Sequence, residues 1–155
     1  MRLDEYFPPQ RVAEMAVYMK SFAATFGVED FRTRDRIPNT RRALALAEVA
    51  RDEGRLHEFR NRAMEAHWRD AMNLEDDDDL LAIARDTGLS DDAVQRSKGD
   101  PQYLERIDAI REEAGRIGVE GIPTFVIGRM GLSGCQPYDV FVDFATQAGA
   151  KKRSQ

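Results

Sequence analysis

Cys135 is the chain's one thiol, and a single cysteine cannot form an intrachain disulfide or a C-x-x-C redox or zinc motif. The two histidines, His57 and His67, lie ten residues apart. On one helix that spacing is about 280° of rotation, so they do not face a common ligand. Neither fits a catalytic base, and a solvated or half-buried structural role is expected for each. The run Glu75-Asp76-Asp77-Asp78-Asp79 could suggest calcium. An EF-hand loop needs glycine at its sixth position, and counting from Asp76 that position is Leu81. The carboxylates instead suit a helix N-terminus, where free N–H groups and the helix dipole attract negative charge. No metal site and no cofactor follow from these residues.

The elements that would position such groups can be read from periodicity. Pro8 and Pro9 open a first helix, and Val12, Met15, Ala16, Met19, Phe22, Ala23 and Phe26 recur at helical spacing before Gly27. A charged stretch follows, in which Phe31, Thr33 and Ile37 could be extended. Asn39 or Thr40 caps the second helix, whose apolar residues are Ala43, Leu44, Leu46, Ala47 and Ala50. Gly54 ends it, and a third helix runs over residues 56–72 as the other arm of an antiparallel hairpin. The acidic run opens a fourth helix, ended by Gly88, and Ser90 caps a short fifth one to about residue 97. Pro101 starts a sixth that continues to Gly118.

Then the period changes. Residues 124–128 are short, apolar and β-prone, and residues 132–135 form a second strand candidate. Residues 129–131 join them in a tight hairpin. Pro137 opens a last helix with Val140, Phe141, Phe144 and Ala145 on its buried side. The fold class is therefore α+β and mostly helical, one domain over residues 1–150 with a disordered basic tail at 151–155. A length of 155 residues is enough for one core. A net charge of −5 disfavours nonspecific nucleic-acid binding. No run approaches the ~18 apolar residues of a membrane span, and the N-terminus lacks a signal-peptide pattern. A cytoplasmic protein is expected.

Gly118-Val119-Glu120-Gly121-Ile122-Pro123-Thr124-Phe125, followed by strand, hairpin and helix, resembles the cis-proline segment of the thioredoxin superfamily. Arg36-Ile37-Pro38-Asn39-Thr40 and Gly134-Cys135-Gln136-Pro137-Tyr138 extend the resemblance to DsbA-like proteins over most of the chain. Within them it is similar to the cytoplasmic FrnE branch, a neighbour of the 2-hydroxychromene-2-carboxylate isomerases and kappa-class glutathione transferases. The resemblance implies a cis Ile122–Pro123 bond. It also implies a substrate face at Ile122, Pro123 and Thr124 whose backbone pairs with an extended peptide or a thiol. Gln136-Pro137 stands where the isomerase relatives carry an acidic and then a basic residue.

Full members open with a β-α-β unit bearing C-x-x-C, which takes about 30 residues or more. No strand–C-x-x-C–helix pattern occurs in this sequence. The expectation is thus a DsbA-type fold without that N-terminal unit and without a dithiol site. Cys135 reads as a buried alanine-sized filler, or alternatively as a one-thiol redox site. With the first strand missing, residues 124–128 would offer an open edge, covered by a second copy in a homodimer, by an N-terminal swap, or by residues 31–34 folding back as a substitute strand. Three functions stay open. The first is binding of a peptide, thiol or partner chain at the cis-proline face. The others are a thiol–disulfide oxidoreductase whose C-x-x-C unit lies outside this chain, and a structural dimerisation module.

Overall fold

The computed structural model describes residues 1–151 of the chain; residues 152–155, most of the basic tail, lie outside the described residues. A 3-10 turn at Leu3–Glu5 leads into α1 (Pro9–Ala24), α2 (Arg41–Asp52), α3 (Leu56–Trp68), α4 (Asp77–Asp86), α5 (Asp91–Gly99) and α6 (Pro101–Arg116). Strands β1 (Thr124–Ile127) and β2 (Met130–Ser133) follow, and α7 (Tyr138–Gln147) ends the order. The chain divides into two compact units, Met1–Asp108 and Ala109–Gln155.

In the first unit, α2, α3, α4 and α5 pack on one core. Leu46, Val49, Phe59, Leu80 and Ile83 are its largest fully enclosed side chains. Ala43, Ala45, Ala50, Ala63, Ala66, Ala84 and Ala93 fill the gaps between them, so the helices meet through small residues. On α2 the buried face is centred on Ala45, Leu46 and Val49, and Leu44 points outward. Leu44 and Leu46, two residues apart, lie about 200° apart around the helix, so only one of them can enter the core. Gly54, at φ 69°, turns the chain between α2 and α3.

Local chemistry sets the helix ends. The Asp76 carboxylate accepts the N–H groups of Asp78 (3.0 Å) and Asp79 (3.1 Å), and Ser90 Oγ accepts that of Ala93 (3.2 Å). Helix α3 stops at Trp68 rather than at residue 72, because Ala71 adopts φ 61° and the Met72 N–H turns back to the Ala66 carbonyl (2.8 Å). Residues 31–34 form no strand. They are tied to the end of α3 instead, where the Arg32 N–H donates to the Trp68 carbonyl (2.8 Å) and Phe31 stacks on the Trp68 ring. The substitute strand expected from this segment does not form among the described residues.

Helix α1 carries an apolar sequence yet buries no residue; Val17 and Tyr18 are 66% and 65% exposed. On α6, Tyr103 is the one buried residue, while Ile110 is exposed, as is Ile117 just beyond the helix.

Candidate functional site

The second unit is built around the hairpin. Its turn is the pair Gly128-Arg129, not residues 129–131, and β2 begins at Met130 rather than at 132. Gly128 has φ 60° while Arg129 does not enter the positive-φ region, the signature of a two-residue II′ turn. That turn matches the right-handed twist of the strands.

The register pairs Ile127 with Met130, Val126 with Gly131, Phe125 with Leu132, and Thr124 with Ser133. In an antiparallel ladder closed by a two-residue turn, mutually hydrogen-bonded pairs alternate with pairs that are not. Ile127 and Phe125 thus direct their peptide groups to β2. Thr124 and Val126 direct theirs to the outer edge of β1. The next pair, Pro123 with Gly134, confirms the alternation: the Gly134 N–H donates to the Pro123 carbonyl at 2.8 Å. Pro123 has no N–H to return, so this pair is closed by one bond.

The Ile122–Pro123 peptide bond is cis. Ile122 is 93% exposed, and its own N–H and carbonyl have no hydrogen-bond partner among the described residues. Thr124 anchors the turn beside it: its Oγ1 donates to the Gly121 carbonyl (2.6 Å) and lies 3.3 Å from Ser133 Oγ. The sheet has two strands among the described residues, so the outer edge of β1 is unpaired. Side chains alternate across it. Phe125 meets Phe141 of α7 edge-to-face at 4.8 Å, whereas Val126, on the other face, is half exposed. Of the expected buried side of α7, only Phe144 is buried; Val140, Phe141 and Ala145 are partly covered.

Cys135 follows Gly134 directly and is exposed, which overturns the buried-filler expectation. Gly134, at φ 83°, swings the chain out of the ladder, and Gln136 Nε2 donates back to the Ser133 carbonyl (2.9 Å). The thiol therefore sits on the surface one residue from the pair that closes the ladder.

The remaining candidates lie elsewhere. His57 is exposed on α3 beside Arg60 and Asn61. His67 is buried rather than solvated or half-buried, edge-to-face with Trp68 at 4.4 Å. Burial pushes its pKa down, and the Arg34 charge adds to this. The acidic run acts as a cap and as ion-pair partners: Asp77 holds Lys98 (2.5 Å) and Arg42. No group of three His, Cys, Asp or Glu side chains that could hold a metal occurs among the described residues. The site thus consists mainly of backbone, with Ile122, Pro123 and Thr124 brought together at the open edge and Cys135 nearby. The outward groups of Val126 went unnoticed in the sequence, although the spacing of Pro123 from the glycine turn contains them.

A mostly helical α+β fold with a cis-proline segment ahead of a β-hairpin and a final helix is a thioredoxin-like arrangement with a helical insertion. Residues 2–145 match the family model of the DSBA-like thioredoxin domain, and the chain belongs to that family. It is similar to the crystal structure of a "probable DsbA oxidoreductase" from Streptomyces coelicolor, with 30% sequence identity and a TM-score of 0.78. That match covers 94% of this chain and 64% of the Streptomyces chain, so this sequence spans under two thirds of the solved relative. It is also 24% identical over 153 residues to the uncharacterized protein YwbO of Bacillus subtilis (strain 168), covering 97% of this chain and 76% of YwbO.

Proposed function

We propose that this DsbA-like protein binds an extended chain segment by strand addition along the outer edge of β1, next to Ile122. The observation that carries this reading is the alternating row of peptide groups at Ile122, Thr124 and Val126, which faces outward without partners among the described residues. Strand addition takes affinity from main-chain bonds and selectivity from alternate side chains. Exposed Phe125, Val126 and Ile127 favour an apolar segment. The occupant is a peptide, a thiol-bearing ligand or the same edge of a second copy, which would make a homodimer through residues 124–128. A FrnE-type, cytoplasmic role rests on the Arg36–Thr40 and Gly134–Tyr138 motifs. Among the described residues no helix is long and apolar enough to cross a membrane.

Val126→Pro is the sharpest test. It deletes one outward N–H and leaves the hydrogen-bonded pairs Phe125–Leu132 and Ile127–Met130 in place. Binding of a labelled, unstructured apolar peptide, followed by fluorescence anisotropy, should weaken by about tenfold. Light scattering behind size exclusion reports whether a second copy competes for the edge. Unchanged peptide binding together with a concentration-independent monomer would defeat the proposal.

A second reading is a thiol–disulfide oxidoreductase, favoured by the name of the Streptomyces relative and by the exposed Cys135. Its dithiol would have to lie outside this sequence, which has one cysteine. Insulin reduction with dithiothreitol should show no rate above reductant alone. A rate abolished in Cys135→Ala would favour this reading instead.

A further inference from the structure

Near the loop that joins α3 to α4 lie two polar side chains that the docking edge does not use. His67 is enclosed, and its Nδ1 has no hydrogen-bond partner; the same holds for Nε of Arg34. The other end of the Arg34 guanidinium is engaged, with Nη2 donating to the Met72 carbonyl. Arg34 thus reaches from the irregular segment before α2 across to the loop at residues 69–75.

The charges around the pair can be named by element. On the irregular segment, Asp30 pairs with Arg69 (2.9 Å) and Arg36 with Glu75 (3.4 Å), both at the surface. On α3 itself, Arg62 holds Asp70 (2.7 Å) and Asp86 of α4 (2.8 Å), and Glu65 pairs with Arg69 (3.7 Å). On α4, Asp79 acts on Arg34 through its charge, while one of its oxygens accepts the Asn73 N–H (2.5 Å). On α2, Glu48 is paired with Arg51 (3.1 Å). The charge that acts on His67 is that of Arg34, which opposes protonation, whereas a backbone hydrogen bond with Met72 favours it. No carboxylate in this set donates or accepts a hydrogen bond to the imidazole.

We propose that His67 and Arg34 form a proton-operated latch. With His67 neutral, Arg34 pins the Met72 carbonyl and closes the 69–75 loop over the end of α3. A proton on His67 adds a second cation beside that of Arg34, and the electrostatic relief is for Arg34 and its segment to leave. Arg34 is only partly buried, so a solvated position lies within reach of its side chain. The other ties between the two segments do not use the Arg34 guanidinium: the Arg32 N–H to the Trp68 carbonyl, the Phe31–Trp68 stack, which meets the imidazole through Trp68, and the Arg69–Asp30 and Arg36–Glu75 pairs.

The direction follows from linkage. A histidine harder to protonate when folded contributes stability that is complete above its ordinary value of about 6.5 and is lost as pH falls below it. Opening should therefore grow on acidification, by up to about tenfold for each pH unit below 6.5 over which the folded imidazole stays neutral. The change should be confined to the two segments that Arg34 joins.

Hydrogen exchange of the full chain at pH 7.5 and pH 5, corrected for intrinsic rates, tests this. In the wild type, residues 28–38 and 69–75 should lose protection on acidification well beyond any change in α2 and α5. The midpoint should coincide with titration of the His67 ring followed by NMR. His67→Gln should remove the pH dependence in both segments. Arg34→Gln should leave them open at both pH values, and it serves as the second variant should His67→Gln fail to fold. Equal changes across the chain, persistence of the effect in His67→Gln, or a midpoint below about pH 4.5, where carboxylates titrate, would each overturn the latch.

Discussion

The units Met1–Asp108 and Ala109–Gln155 use apolar residues in opposite ways. In the first, a cluster running from Ala43 to Tyr103 is removed from water by side chains of five helices, α2 to α6. In the second, Phe144 is the only buried hydrophobic among the described residues, while Phe125, Val126, Ile127 and Ile110 remain exposed. Hydrophobicity of sequence is similar in kind; the difference lies in what each element can find within its own chain. A helical hairpin with alanines at its contacts closes on itself. A lone two-stranded sheet has one covered face at best and an edge that stays unsatisfied. The first unit therefore closes a core of its own, and the second keeps the open edge on which the proposed docking rests.

Truncation of matched aromatic rings should separate the two most clearly. Phe59→Ala, in the sealed core, should cost about 3–5 kcal/mol in chemical denaturation. Phe141→Ala, half covered by Phe125, should cost about 1–2 kcal/mol. Equal losses would erase the contrast. A smaller effect is expected at the α4 cap, where Asp76→Ala removes the acceptor for two backbone N–H groups and should cost about 1 kcal/mol.

The smallest effect concerns acid. The Lys98 ammonium, and then Arg42, hold the Asp77 carboxyl below the usual carboxylate range. A lowered folded value gives stability that is present above the unfolded value of about 3.9 and lost as pH falls through the folded one. Asp77→Asn should therefore flatten the fall in Tm between about pH 5 and pH 2.5. The change should be slight, because Asp77 is solvated. An unchanged slope would remove this ion pair from the account of the scaffold.

Punctuation residues made much of the fold legible. Pro9, Gly54, Gly88, Gly118 and the capping Asp76 and Ser90 each stand where the chain begins or turns a helix. What stayed hidden lacks such a mark. Ala71 takes a left-handed conformation that alanine does not advertise, so α3 seemed four residues longer than it is. Helix α1 has the composition of a core helix, and nothing local tells an apolar face that finds a partner from one that does not. The cis-proline segment could be located from its neighbours Gly121 and Thr124. The outward direction of the Val126 peptide groups required the register, which depends on placing the turn at Gly128-Arg129. Cys135 could be assigned to the hairpin end but not to its surface, since one φ angle at Gly134 decides that.

The edge at Ile122, Thr124 and Val126 offers main chain rather than side chains. Every residue except proline has the same main-chain groups, so such a site is nearly blind to which amino acid occupies it. These positions can drift through many residue types over generations while the row of donors and acceptors persists. In saturation mutagenesis scored by binding, the edge should reveal itself through a single recurrent loss, proline at Thr124 or Val126, against a background of tolerated change.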